Sequence, residues 1–145
     1  MAENILFADS NVFLDAFLQR TPNDSDCKSL IKLAENVTIK IYTSSSCLLN
    51  VMYFLEKSGF DNADIIETIK ALLTFISLIS PTENTFHLAF SAGFTDLEDA
   101  VQYYTALQIK GIEYFITSNI KDFKKSSAQL PVLTAKQFLK LYNKK

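Results

Sequence analysis

The chain has 145 residues, of which 48% are hydrophobic and 21% are charged, and its formal net charge is −2 at pH 7. These values are ordinary for one globular domain, taken here as residues 1–145, and they argue against a broad basic surface for nucleic acid, although not against a local basic patch. The two cysteines, Cys27 and Cys47, lack metal-ligand spacing, and with His87 as the single histidine they argue against a zinc site and a disulfide framework.

The sequence carries no sign of export or membrane insertion. The first ten residues lack the positive charge and the long apolar core of a signal peptide. The most apolar window, residues 71–80, is well short of the roughly 20 residues that a membrane-spanning helix needs. We therefore expect a cytoplasmic protein without a membrane partner.

Short apolar runs alternate with helical periodicity along the chain. The runs are apolar or β-branched and predict five strands. In chain order, the predicted strands cover residues 5–9, 38–44, 75–80, 112–118 and 131–134. Between and after them, apolar residues spaced three or four apart predict helices within residues 12–20, 26–37, 44–60, 62–75, 81–94, 95–111 and 135–144. The helix within 44–60 is expected to have its cap at Ser45 or Ser46 and to stop at Gly59.

Strands that alternate with helices indicate an α/β fold with a parallel sheet and helices on both faces. In such sheets, ligands bind outside the carboxyl ends of the strands. Asp9 ends the first predicted strand, and we therefore expect it to belong to a functional site. The alternative is that Asp9, Ser10 and Asn11 form a polar turn that only caps the next helix.

A pair of acids stands at the start of the sixth predicted helix. Asp96 and Asp99 are three residues apart, so both can point outward from its first turn. They have a structural alternative, because Thr95 and Glu98 match a capping box and acids are favourable near a helix N-terminus.

Two further polar groups fall at comparable places. Thr117 lies at the end of the fourth predicted strand, and Asn119 and Asp122 follow that strand, although Asp122 could instead be a solvated loop charge. Asn50 is an amide inside an apolar helix, so it is either a satisfied buried amide or a member of the same site. By contrast, Asp15 is expected on the exposed face of the first helix.

Several carboxylates brought together have one common chemical use. Because like charges repel, they ionise together only when a cation lies between them. Oxygen ligands suit Mg²⁺ or Mn²⁺, and such an ion can activate a bound water and polarise a phosphoryl oxygen. The pattern therefore favours metal-assisted hydrolysis of a phosphodiester.

Four motifs together give the chain a resemblance to the PIN-domain proteins, the fold of the VapC-type toxin ribonucleases. They are "FADSNVFLDAFLQR", "SSSCLLNVMYFLEK", "DLEDAVQYYTA" and "YFITSNIKDFK", and their order and spacing cover nearly the whole chain. The resemblance implies a three-layer α/β/α sandwich with a central parallel sheet of about five strands. It also implies an acidic pocket that binds Mg²⁺ or Mn²⁺ and cleaves RNA.

The resemblance assigns roles to individual residues. Asp9 matches the first acid of the family and Asp99 the third, with Asp96 as an additional acid. The segment with Asp122 and Asn119 supplies the fourth. Thr117 and Ser10 would support the site. Lys121, Lys124 and Lys125 are the candidates for RNA phosphate contacts, with a solvated loop as the alternative.

The sequence departs from the family pattern at Asn50, which stands where the family has a glutamate. An amide carries no negative charge, although its carbonyl oxygen can still accept from a water or touch a cation. We therefore expect weaker metal affinity than in a four-acid site.

Three functions are compatible with these residues. The first is a metal-dependent ribonuclease that is the toxin of a toxin–antitoxin pair, with a small antitoxin and a homodimer as implied partners. The second is a PIN-like module that binds RNA or a protein without cleaving. The third is a protein-interaction domain that uses aromatic side chains among Tyr53, Phe54, Phe60 and Phe90.

Overall fold

The computed structural model of the protein describes residues 4–123 and 129–144. It contains five strands, which are β1 (Asn4–Ala8), β2 (Ile39–Ser44), β3 (Ile76–Ile79), β4 (Tyr114–Ile116) and β5 (Val132–Leu133). Its α-helices are α1 (Ser10–Phe17), α2 (Asp24–Glu35), α3 (Ser45–Lys57), α4 (Asn62–Leu73), α5 (Glu83–Ser91), α6 (Leu97–Ala106) and α7 (Ala135–Asn143). A short 3₁₀ turn, Ile120–Phe123, follows β4.

The strands form one parallel sheet in the order β3-β2-β1-β4-β5. The chain runs outward from β1 to β3 and then returns to the other side of β1. The carboxyl ends of β1 and β4 therefore flank the point where the strand order reverses, which is where ligands bind in open α/β sheets. The predicted α/β sandwich with a parallel sheet of about five strands is confirmed.

Successive side chains of the central strands point into two separate cores. Leu6 and Ala8 of β1 pack with the helices α1, α2, α3, α4 and α7, and Phe7 lies in the other core with residues of α5 and α6. In that second core, the rings of Phe7 and Phe115 stack with centroids 5.1 Å apart. Because both faces of β1 and β4 are buried, the ends of these strands are held in a fixed place.

The helix ends differ from the predicted ones in detail. The cap of α3 is Ser44, not Ser45 or Ser46, because Ser44 keeps an extended backbone while its side chain accepts from the Cys47 N–H at 2.9 Å. Helix α6 begins at Leu97 with Asp96 as its cap and ends at Ala106, five residues before the predicted end. None of the helices in the described part of the chain is long and apolar enough to cross a membrane.

Candidate functional site

Asp9 lies at the carboxyl end of β1 and is also the cap of α1. One carboxylate oxygen accepts from the Ser10 N–H at 2.9 Å and from the Cys47 thiol at 3.6 Å, and the other accepts from the Thr117 hydroxyl at 3.3 Å. The residue is 6% exposed, and this burial raises the pKa of its carboxyl. Asp9 therefore caps α1 at the carboxyl end of β1, and its role in a functional site stays a prediction.

Asp99 is the second acid of the site and lies in the first turn of α6. Burial raises the pKa of its carboxyl to about 7, and the negative charges of Asp9, Asp96, Asp122 and Glu98 act in the same direction. Four acids from three segments of the chain are therefore near enough to repel Asp99. Among the described residues, neither Asp9 nor Asp99 forms an ion pair with a lysine or arginine.

Two further acids, Asp96 and Asp122, each accept a hydrogen bond from a residue three positions away. One oxygen of Asp96 accepts from the Asp99 N–H at 3.2 Å, and one oxygen of Asp122 accepts from the Asn119 amide. Within residues 4–123 and 129–144, no three His, Cys, Asp or Glu side chains are close enough to form a ready-made metal site. The roles of Asp96 and Asp122 as ligands or catalytic groups therefore stay predictions.

The donor set nevertheless fits a hard divalent cation in its chemistry. The groups whose charges act on Asp99 offer carboxylate oxygens, which suit Mg²⁺ or Mn²⁺. The Cys47 thiol is not a competing soft ligand, because burial and the Asp9 charge raise its pKa to about 12 and keep it protonated. A cation beside Asp9 and Asp99 would neutralise charges that otherwise repel.

Asn50 reaches the site through Ser10. Its amide nitrogen donates to the Ser10 hydroxyl at 3.0 Å, and Ser10 directly follows Asp9 in the chain. The side chain is half-buried on α3. The Asn50 amide nitrogen is therefore satisfied by Ser10, and the role of Asn50 in the site stays a prediction.

The segment after β4 is tied to α1 by side chains. The Thr117 hydroxyl, which donates to Asp9, accepts from the Asn11 amide at 3.1 Å and from the Asn119 N–H at 3.3 Å. Thr117 and Ser10 therefore both contact Asp9 directly, as their predicted supporting roles require. Lys121 is exposed in the 3₁₀ turn, and Lys124 and Lys125 lie outside the described residues.

Sequence reasoning was wrong about Asp15 and considered Asn11 only as part of a turn that caps a helix. Asp15 is only 6% exposed, because its carboxylate accepts from Arg20, Asn23 and Ser118. Asn11 and Asp15 are four residues apart and therefore share one face of α1. A polar pair with this spacing on an otherwise apolar helix was the signal that both face a polar partner.

The aromatic side chains named as interaction candidates divide into two groups. Tyr53, Phe54 and Phe90 are exposed, whereas Phe60 packs partly buried against the core beside α3 and α4. Leu49, Met52, Tyr53 and Ile66 are among the side chains that line an open apolar groove of about 400 Å³ between these two helices.

Fold and site together define a class of protein, an α/β domain with an acidic site at the reversal point of its parallel sheet. A family model described as the PIN domain matches residues 6–121. The chain belongs to the PIN-domain family, as its motifs predicted.

Individual relatives agree with this assignment. The chain is 29% identical over 143 residues to Ribonuclease VapC1 of Aquifex aeolicus (strain VF5), and the match covers 95% of both proteins. Two solved structures share the fold at a TM-score of 0.65. One is a toxin–antitoxin complex from Klebsiella pneumoniae, with 22% identity over 90% of this chain and 97% of that one. The other is VapBC2 from Rickettsia felis bound to a promoter DNA fragment, with 20% identity over 88% and 96%.

Proposed function

We propose that this chain is a metal-dependent endoribonuclease of the PIN type and the toxin of a toxin–antitoxin pair. The observation that carries the proposal is the approach of Asp9 and Asp99 at the reversal point of the sheet, where they repel each other and form no ion pair within the described ranges. A relative named as a ribonuclease and aligned over 95% of the chain supports RNA as the substrate. We propose the cytoplasm as the location of this activity.

In the proposed reaction, Asp9 and Asp99 would hold Mg²⁺ or Mn²⁺. The bound ion supplies an activated water and polarises the phosphoryl oxygen. The Ser10 N–H, the Cys47 thiol and the Thr117 hydroxyl fix the orientation of the Asp9 carboxylate. Such fixed ligands reduce the reorganisation that metal binding requires.

The remaining residues of the site would act on the substrate or complete the metal shell. Asp122, held by Asn119, and Asp96 are the candidates for further metal contacts. Asn50 lies beside Ser10 and would orient a water or the RNA. Lys121, which is exposed next to Asp122, would attract the phosphate backbone together with Lys124 and Lys125.

A protein partner is part of the same proposal. The apolar groove between α3 and α4 leaves Leu49 66% exposed and Tyr53 51% exposed, which is costly in water and suits an apolar segment of an antitoxin. The solved relative from Klebsiella pneumoniae is itself a toxin–antitoxin complex. The homodimer implied by the family resemblance stays a proposal of the same kind.

The test is cleavage of RNA in Mn²⁺ by the wild-type chain, two site variants and one control variant. Asp9→Ala and Asp99→Ala should each reduce the rate by a factor on the order of 100, because each removes a charge that the transition state needs. Glu67→Ala removes an exposed carboxylate from α4 and should leave the rate unchanged. Equal cleavage by all four proteins would refute the assignment.

The second candidate is a PIN-domain module that binds RNA or a protein without cleaving it. It is favoured by Asn50, which brings an amide where an acid would add charge, and by the lack of a ready-made group of three acids in the described ranges. Titration calorimetry with Mn²⁺ separates the two candidates. RNA binding retained without metal binding at millimolar Mn²⁺ would favour the module.

A further inference from the structure

Asp15 is a buried carboxylate outside the acid cluster of the candidate site. One of its oxygens accepts from Arg20 Nε at 2.8 Å, and the other accepts from the Ser118 hydroxyl at 2.6 Å and from the Asn23 amide at 3.3 Å. A buried charge is tolerated only when it is paired and hydrogen-bonded, and these three donors meet that condition.

The three donors come from different parts of the chain. Arg20 and Asn23 lie within eight residues of Asp15 and close the turn after α1. Ser118 is 103 residues away in sequence and lies just beyond β4. Neutralising Asp15 requires only the local donors, whereas the bond from Ser118 joins α1 to the segment that carries Asn119 and Asp122.

Asn11 lies one helical turn before Asp15 and also contacts Ser118. Its carbonyl oxygen accepts from the Ser118 N–H at 3.0 Å, and its amide nitrogen donates to the Thr117 hydroxyl at 3.1 Å. The backbone N–H and the hydroxyl of Ser118 are therefore both bonded to one face of α1. Since β4 ends at Ile116, these bonds fix the path of the chain where the sheet no longer does.

The neighbours of Ser118 both contact acids of the candidate site. Thr117 donates to Asp9, and Asn119 donates to Asp122. We propose that Asp15 and Ser118 are positioning residues, which hold residues 117–122 against Asp9 and so set the metal affinity of the site. This inference rests on the proposed function for its metal and on the contacts of Asn11, Asp15 and Ser118 for its geometry.

The experiment compares two variants that each remove one donor from Asp15. Ser118→Ala breaks the link to the site, and Asn23→Ala breaks a local bond of the same carboxylate. Hydrogen exchange of amides 118–122 in metal-free protein should accelerate about tenfold in Ser118→Ala, as expected for the loss of one bond to a charged group, and should not change in Asn23→Ala. The Mn²⁺ dissociation constant should rise about tenfold in the first variant only.

Hydrogen exchange and Mn²⁺ binding test the positioning role and the metal function independently of each other. If wild-type protein binds no Mn²⁺, the proposed metal function is refuted, and exchange of amides 118–122 still decides the positioning. Unchanged exchange in Ser118→Ala, or equal acceleration in Asn23→Ala, overturns the positioning role. If Ser118→Ala does not fold, Ser118→Cys replaces it, since the thiol keeps the size of the side chain and weakens the donor. In that variant, faster exchange of amides 118–122 than in the wild type supports the positioning role, and unchanged exchange overturns it.

Discussion

Asp99 is the residue at which the electrostatic cost of the site is concentrated. Burial raises the pKa of its carboxyl to about 7 in the folded chain, against about 4 for an unfolded aspartate. Between these values the folded state binds a proton that the unfolded state has lost, so the contribution of Asp99 to stability falls as pH rises from about 4 to about 7. Above pH 7 the full cost of an ionised Asp99 is present.

The first prediction follows from this cost. In metal-free buffer, Asp99→Asn should be more stable than the wild type, and this advantage should be about 1 kcal/mol larger at pH 8 than at pH 5. The difference is small because solvent screens a half-exposed group. Urea denaturation at the two pH values measures it. Glu67→Gln, an exposed change on α4, should give no such difference. A gain that is the same at both pH values would contradict the assigned pKa.

Asn50, which the family resemblance places at the position of an acid, gives the second prediction. Asn50→Asp places a carboxylate beside Ser10 and should bind Mn²⁺ about tenfold more tightly, because ligand charge sets affinity for hard cations. The same change should destabilise the metal-free fold. Asn84→Asp, exposed on α5, controls for net charge, and titration calorimetry gives both affinities. An equal gain in the two variants would show that Asn50 does not face the metal.

At the scale of the element, strands and helices were predictable because each buries an apolar pattern of its own. The alternation at Ile39 and Ile41 of β2 and the stripe of Ile65, Ile69 and Leu72 on α4 are visible without any partner. Strand ends were also predictable, which is why Asp9 and Thr117 were placed in the site from sequence.

Contacts between distant segments were not predictable in the same way. Asp15 looked like an exposed helical acid, since its partner Ser118 is 103 residues away. The cap of α3 moved to Ser44 because three serines in a row satisfy the same cap rule and only the backbone angles separate them. Periodicity shows which face of a helix is buried, but it does not show which polar group lies opposite.

Helix α6 depends on one such contact, and this gives the third prediction. Gln102 is buried one turn after Asp99, where its oxygen accepts from the Ser44 hydroxyl and its nitrogen donates to Ser46 at 2.8 Å. Gln102→Leu should cost about 1–3 kcal/mol of stability, because it removes the bonds of a buried side chain to both Ser44 and Ser46. It should also weaken Mn²⁺ binding, because the bond fixes the helix that carries Asp99.

The matched control is Gln108→Leu, the same change at an exposed residue just after α6. Its urea midpoint and its Mn²⁺ affinity should both stay near those of the wild type. A loss of stability without any loss of affinity in Gln102→Leu would mean that α6 is held in register by its apolar face alone.

At the scale of the molecule, the sheet order explains why acids distant in sequence meet. The reversal at β1 brings the ends of β1 and β4 side by side, and α6 presents its first turn to the same edge. Both hydrophobic cores are complete around this edge. The fold therefore keeps its apolar packing although the acids repel one another there. The repulsion between the acids thus lowers the stability of the fold locally, as is common where function requires grouped charges.

The fourth prediction is that this cost becomes a gain when metal binds. Mn²⁺ at 100 times its dissociation constant should stabilise the whole fold by about 2.7 kcal/mol, which corresponds to a rise in Tm of roughly 8 °C for a chain of this size. Asp9→Asn should be more stable than the wild type without metal, because it removes a buried charge, and should lose the metal-dependent rise. Glu67→Gln should keep the rise, and EDTA should reverse it. Thermal unfolding followed by circular dichroism tests all three proteins, and an undiminished rise in Asp9→Asn would place the metal elsewhere on the molecule.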